Sequence, residues 1–129
     1  MASELRVNTL KDAAGNNSVA MQYVANGSAK AWVNFNGTGT VAIRQSGNVA
    51  SITDGGTGVY TVNFASSIVD ADYCAVASTG RDDSNGANLG ASFNYAGTNP
   101  TTSAIKLNTR DRDSSTNDDT DYVFVTVVR

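Results

Sequence analysis

Histidine is absent from the 129 residues, and cysteine, proline, tryptophan and glutamate occur once each, as Cys74, Pro100, Trp32 and Glu4. Without histidine the chain lacks the usual general base near neutral pH and the commonest zinc ligand. One cysteine forms no internal disulfide, and the two shortages together exclude Cys/His metal centres and Cys-His nucleophilic catalysis. A catalytic carboxylate pair would have to come from the eleven aspartates, because Glu4 stands alone near the amino terminus. These shortages point away from an enzyme, and neither a cofactor nor a metal is expected. Long apolar runs are missing as well: none approaches the roughly 18 residues of a membrane span. Met1-Ala2-Ser3-Glu4-Leu5-Arg6 lacks the basic start and apolar stretch of a secretion signal. Membrane insertion is therefore not expected, and the product is expected to be made and kept in a cytoplasm until something else releases it. The net charge of −3 argues against nucleic acid or anionic lipid as partner.

What is present is small, uncharged and turn-rich. Gly, Ser, Thr and Asn make up about two-fifths of the chain, against 16% charged residues. Val, Ile, Thr, Tyr, Phe and Trp outnumber Leu, Met, Glu, Lys, Gln and Arg by more than two to one, which disfavours a helical bundle. At 40%, the hydrophobic residues suffice to close one modest core, so the length holds one domain plus an arm.

Residues 1–29 read as an extended arm, with Leu5, Val7 and Leu10 followed by the turn-like Ala14-Gly15-Asn16-Asn17. Residues 30–129 read as a β-sandwich domain with a leading hairpin. That hairpin joins 30–35 to 40–44 through Asn36-Gly37-Thr38-Gly39, whose residues tolerate positive φ. Ser46-Gly47-Asn48 precedes a strand at 49–53, and Asp54-Gly55-Gly56 marks a tight turn. Residues 59–64 alternate, with Tyr60, Val62 and Phe64 on one face. Strands follow at 72–78, where Cys74 is expected as a small buried residue, and at 89–95, which aligns Leu89, Ala91, Phe93 and Tyr95. At 104–109, Ile105 and Leu107 should face inward and Lys106 and Asn108 outward. The run 122–128 is apolar on both faces and needs cover on both, inside a sandwich or in a subunit interface. The pattern predicts an all-β fold, an antiparallel β-sandwich of jelly-roll-like topology. Trp32, Phe35, Tyr60, Phe64, Phe93, Tyr95, Tyr122 and Phe124 all fall in these alternating runs, where core or interface packing is their expected role.

Two long polar connections, 79–88 and 110–121, stand out, because loops on a rigid scaffold present binding groups. Arg81, Asp82, Asp83, Asn85 and Asn88 in the first, with Asp111, Asp113, Asp118 and Asp119 in the second, are the candidate contacts for glycan hydroxyls. An EF-hand loop starting at Asp111 would need glycine where Thr116 stands and glutamate where Tyr122 stands. Arg110 and Arg112, interleaved with the aspartates, favour a solvated loop or intersubunit ion pairing over a nonstandard calcium site. Gly55-Gly56-Thr57-Gly58 lacks the lysine and helix of a phosphate loop and reads as a hairpin turn. Pro100 falls in a further hairpin connection.

Ser3-Glu4-Leu5-Arg6-Val7-Asn8-Thr9-Leu10-Lys11-Asp12, Lys30-Ala31-Trp32-Val33-Asn34-Phe35-Asn36-Gly37, Thr40-Val41-Ala42-Ile43-Arg44 and Asn48-Val49-Ala50-Ser51-Ile52-Thr53-Asp54 form an ordered series. Gly58-Val59-Tyr60-Thr61-Val62-Asn63-Phe64, Asp70-Ala71-Asp72-Tyr73 and residues 123–129 continue it. The series resembles the fibre and fibre-tip proteins of tailed bacteriophages, particularly those of marine and cyanobacterial hosts. It spans most of the chain, and the two polar loops fit least well. The resemblance implies a non-enzymatic virion protein, assembled in the host cytoplasm as an intertwined homotrimer, with its amino-terminal part toward other virion proteins and a β domain outward. On that reading the arm 1–29 is a virion anchor or a trimer clamp, with Leu5, Arg6, Val7, Asn8 and Leu10 the candidate anchor residues, and host surface glycan is the candidate receptor. Long fibres carry shaft repeats; none lies between Asp12 and Lys30, which fits a short fibre or tip, or a head fibre or decoration protein on the capsid.

Overall fold

Period-two alternation, strongest from residue 30 onward, decides where this chain pairs. In the computed structural model, which describes residues 3–82, 89–93 and 100–129, every strand pairing is antiparallel. The arm contains β1 (Thr9–Lys11), β2 (Ser18–Ala20) and the seven-residue helix α1 (Met21–Gly27). The domain contains β3 (Ala29–Asn36), β4 (Ala42–Gly47), β5 (Val49–Asp54), β6 (Val59–Phe64), β7 (Cys74–Gly80), β8 (Leu89–Ser92), β9 (Ala104–Asp111) and β10 (Tyr122–Val128). Its strands form two four-stranded sheets, ordered β4-β3-β10-β7 and β5-β6-β9-β8. No helix among the described residues is long and apolar enough to cross a membrane.

Both sheets contribute to one buried cluster. Ala31, Val33, Phe35, Val123, Val125 and Val127 come from the first sheet, and Tyr60, Val62, Phe64, Ile105 and Leu107 from the second. Phe35 and Tyr60 meet edge to face with ring centres 5.2 Å apart. The chain crosses from one sheet to the other at Asn48, the single residue between β4 and β5, which takes φ +55. Asparagine tolerates this left-handed conformation. Its side chain also secures the corner, donating to the Lys30 and Ser66 carbonyls and accepting from the Ser66 N–H. Sequence neighbours β3–β4, β5–β6 and β8–β9 pair within a sheet, so the order departs from a jelly roll, in which successive strands alternate between sheets.

The leading hairpin, the turn after Asp54 and the inward set Tyr60, Val62 and Phe64 lie where the alternation puts them. Three expectations are corrected. The arm is not simply extended: β1 and β2 pair through the Ala14-Gly15-Asn16-Asn17 turn and α1 follows, although no arm residue among those described is buried. Cys74 is exposed, because Ala75 and Ala77 take the inward positions of β7 and Cys74, Val76 and Ser78 the outward ones. Asn108 is buried, because β9 is a central strand and sets Asn108 between Val59 of β6 and Ser92 of β8. The 89–95 strand is described as Leu89–Ser92, and Tyr95 lies outside the described residues.

β10 resolves its double apolar character unequally. Val123, Val125 and Val127 fill the core, while Tyr122, Phe124, Thr126 and Val128 point out of the sheet. Phe124 and Trp32 are each 40% exposed there, so neither ring belongs to the core. The Trp32 indole lies across Gly47, its register partner on β4, where any Cβ would collide with the ring. Tyr122 stacks on Phe124 with ring centres 6.3 Å apart, and the Arg44 guanidinium sits 4.2 Å from the Tyr122 ring centre.

Candidate functional site

The second polar connection is a strap across one end of the domain. It begins as a continuation of β9, where the Asp111 N–H donates to the Thr116 carbonyl and Arg110 bridges to Asn117. It then returns across four elements. Thr109, fully buried on β9, gives its hydroxyl to the Asp118 carbonyl at 2.6 Å and accepts the Asp118 N–H through its own carbonyl. Asp119 Oδ1 accepts from the Gly58 N–H at 2.7 Å and from the Tyr60 hydroxyl at 2.9 Å, fastening the β5–β6 turn. Thr120, also fully buried, donates to the Gly80 carbonyl at 2.7 Å, and its own carbonyl accepts from the Gly37 N–H. Asp121 accepts from the Thr38 hydroxyl and the Asp82 N–H, and its carbonyl accepts from Arg44.

Arg81 closes the strap from the β7 side. Its guanidinium donates to Asp118 Oδ2 at 2.6 Å and to the Asp119 carbonyl at 2.8 Å, and its side chain is only 16% exposed. A charge-assisted pair in this partly shielded setting outweighs a solvated surface pair. Arg81, Asp118 and Asp119, expected as outward contacts, are therefore brought together as internal fasteners. Asp111 is likewise engaged, accepting from the Asp113 N–H and the Ser114 hydroxyl within its own turn. Asp82 and Asp113 remain exposed at the surface. Asp83, Asn85 and Asn88 lie outside the described residues. Each engaged aspartate faces its own donors, and among the described residues no three His, Cys, Asp or Glu side chains converge.

The five anchor candidates lie on the arm. Leu5 and Val7 are exposed, Arg6 pairs with Glu4 at 2.9 Å, the Asn8 carbonyl accepts the Met21 N–H, and Leu10 faces Val19 across the β1–β2 ladder. Sequence reading missed Gly37, Gly58, Tyr60, Thr109 and Thr120 as participants. The available signal was Thr109 itself, at the end of the alternating β9 run, where a buried hydroxyl must find a partner.

Charge at this end sets a pH dependence. The Asp121 carboxyl is held below its usual range by the Asp82 N–H and the Thr38 hydroxyl, and Asp111 by the Asp113 N–H and Ser114. Across the molecule the Arg129 guanidinium lowers Asp70 in the same sense. Burial, followed by the Asp119 hydrogen bond, pushes the Tyr60 hydroxyl well above its ordinary value of 10.0. Lowered carboxyls contribute stability above their unfolded value of 3.8, and that stability is lost as pH falls through their folded values. Raised Tyr60 contributes below pH 10.0, and its share is lost as pH climbs from there toward its folded value. Thermal unfolding midpoints measured across pH are therefore expected to be level in the neutral range and to drop at both ends. A midpoint still rising below about pH 3 would contradict the carboxylate assignments.

No protein-family model, curated protein or solved structure matches the chain.

Proposed function

We propose that this chain is a structural virion protein of a tailed bacteriophage, a short homotrimeric fibre or fibre tip without catalytic activity that takes part in host-surface attachment. The observation that carries this reading is the division of the molecule into two parts with different surfaces. An arm with no buried side chain among its described residues precedes a domain whose two sheets, read as a sandwich, enclose a single core. Such an arm gains order from a partner, which suits either an anchor to other virion proteins or a clamp on a neighbouring copy, with Leu5, Arg6, Val7, Asn8 and Leu10 as its candidate contacts. The ordered motifs from Ser3 to Arg129 supply the phage assignment. In purified particles of the encoding phage, antibody to this protein should label one fixed location on tail or head. Particles that lack the protein would refute the reading.

One observation favours the alternative, a head-fibre or capsid-decoration protein without receptor contact. The carboxylates of Asp111, Asp118, Asp119 and Asp121 are already occupied by donors of the same chain, leaving Asp82 and Asp113 as the exposed members of the described candidate contacts. Phage carrying Asp82→Ala and Asp113→Ala should assemble normally, since exposed substitutions cost little folding energy. Poor adsorption by those particles supports receptor binding through this end, and unchanged adsorption moves the assignment to decoration.

A further inference from the structure

Two surfaces of this chain leave apolar side chains uncovered, and they lie on different parts of it. One is the outward face of β4-β3-β10-β7, where Trp32, Phe124 and Val76, the last 65% exposed, stand among Asn34, Ser78 and Thr126. The other is the arm, where Leu5, Leu10, Tyr23 and Val24 stand open. The second sheet shows what a solvated face looks like in this protein: its outward positions carry Thr53, Thr61, Asn63 and Lys106. Antiparallel sheets with one wet side are ordinarily polar there, so the aromatic face is the one built for cover.

Area decides what covers it. Four strands about 4.8 Å apart and about 20 Å long present roughly 400 Å². Two such faces pressed together would bury about 800 Å² in total, the size of a packing contact and short of a specific interface. A head-to-tail arrangement, in which each copy lays its arm on the next copy's face, uses both surfaces of every chain. Each arm-to-face contact is no larger, about 800 Å², but every copy makes two of them, so a head-to-tail ring that closes at three copies buries about 2,400 Å² in all. Charge does not oppose the contact. β3, β4, β7 and β10 contain no acidic residue, and Glu4 and Asp12 balance Arg6 and Lys11 on the arm.

We infer that residues 3–27 of one copy cover the outward face of β4-β3-β10-β7 on the next copy, with Trp32 and Phe124 beneath the arm. The inference rests on the trimeric reading above and adds the two surfaces that meet. The chain carries its own reporters, because its one tryptophan, Trp32, and its one cysteine, Cys74, both point out of this sheet. Acrylamide quenching of Trp32 and maleimide labelling of Cys74 should be followed on the full chain beside its native mass. The expected result is a mass of three chains, with Trp32 shielded and Cys74 slow to label. In the full chain carrying Leu10→Asp and Val24→Asp, the mass should fall threefold and both reporters should become accessible. The far-UV spectrum should hold, since neither side chain lies in the core. A trimer whose Trp32 is as open as in the variant would overturn the arm-to-face contact and leave the trimer standing. A monomer with Trp32 shielded would place the arm on its own sheet, overturning the exchange between copies. A monomer with Trp32 open would overturn both readings.

Discussion

Gly58→Ala is expected to destabilise the domain by about 2–5 kcal/mol, combining about 1–2 kcal/mol for a left-handed alanine with about 1–3 kcal/mol for overpacking. Gly58 takes φ +63, and a Cβ there would come within 3.0 Å of the Thr109 carbonyl oxygen and of the Asp118 backbone. Those atoms belong to the strap and to the central strand, so neither can retreat without breaking the bonds that fasten the end of the domain. Gly39 is the control: it takes φ +60 but has open space where its Cβ would go. Gly39→Ala should therefore cost about 1 kcal/mol, the conformational share alone. Urea unfolding of both variants separates the two contributions, read as a shift in midpoint at unchanged slope. Equal losses would mean that the strap does not press on Gly58.

Phe35→Ala and Phe124→Ala should part company even more widely. Phe35 is fully buried and joins the two sheets through Tyr60, so its removal leaves a cavity in the core and should cost about 3–5 kcal/mol. Against a typical total of about 5–15 kcal/mol, that loss puts the domain near its unfolding threshold. Phe124 sits on the opposite side of the same sheet pair, half open to solvent, so its loss should leave the fold standing while weakening whatever covers the face. Calorimetry and native mass, taken together on the two variants, test this division. A Phe124→Ala protein that unfolds as readily as Phe35→Ala would show that the outward face is part of the core.

Much of the fold is legible in the order of residues because alternation carries it. Tyr60, Val62, Phe64, Ile105 and Leu107 take the faces that period two assigns, and Asn36-Gly37-Thr38-Gly39 turns between the paired strands β3 and β4. Cys74 was misassigned because Cys-Ala-Val-Ala alternates between two sets of small apolar residues, and composition alone does not say which set faces in. Asn108 escaped because alternation marks a face as outward, whereas only the sheet order shows that its strand is central. The strap was the larger miss. A run as polar as residues 110–121 looks solvated until Gly58, Thr109 and Gly80 are brought beside it, and these contacts come from distant parts of the chain that no local pattern connects. The arm divides the same way: its turn at Ala14-Gly15-Asn16-Asn17 is local and visible, whereas its apolar Leu5, Leu10, Tyr23 and Val24 stay exposed in the single chain.

In the proposed assembly, this chain is one of three identical copies held together at the aromatic face and the arm. Light scattering of the intact protein, taken across a dilution series, tests it most directly. The account predicts a particle of three times the 13.4 kDa chain mass at assembling concentrations. A particle of one chain mass throughout the series, with the β domain fully folded, would contradict it.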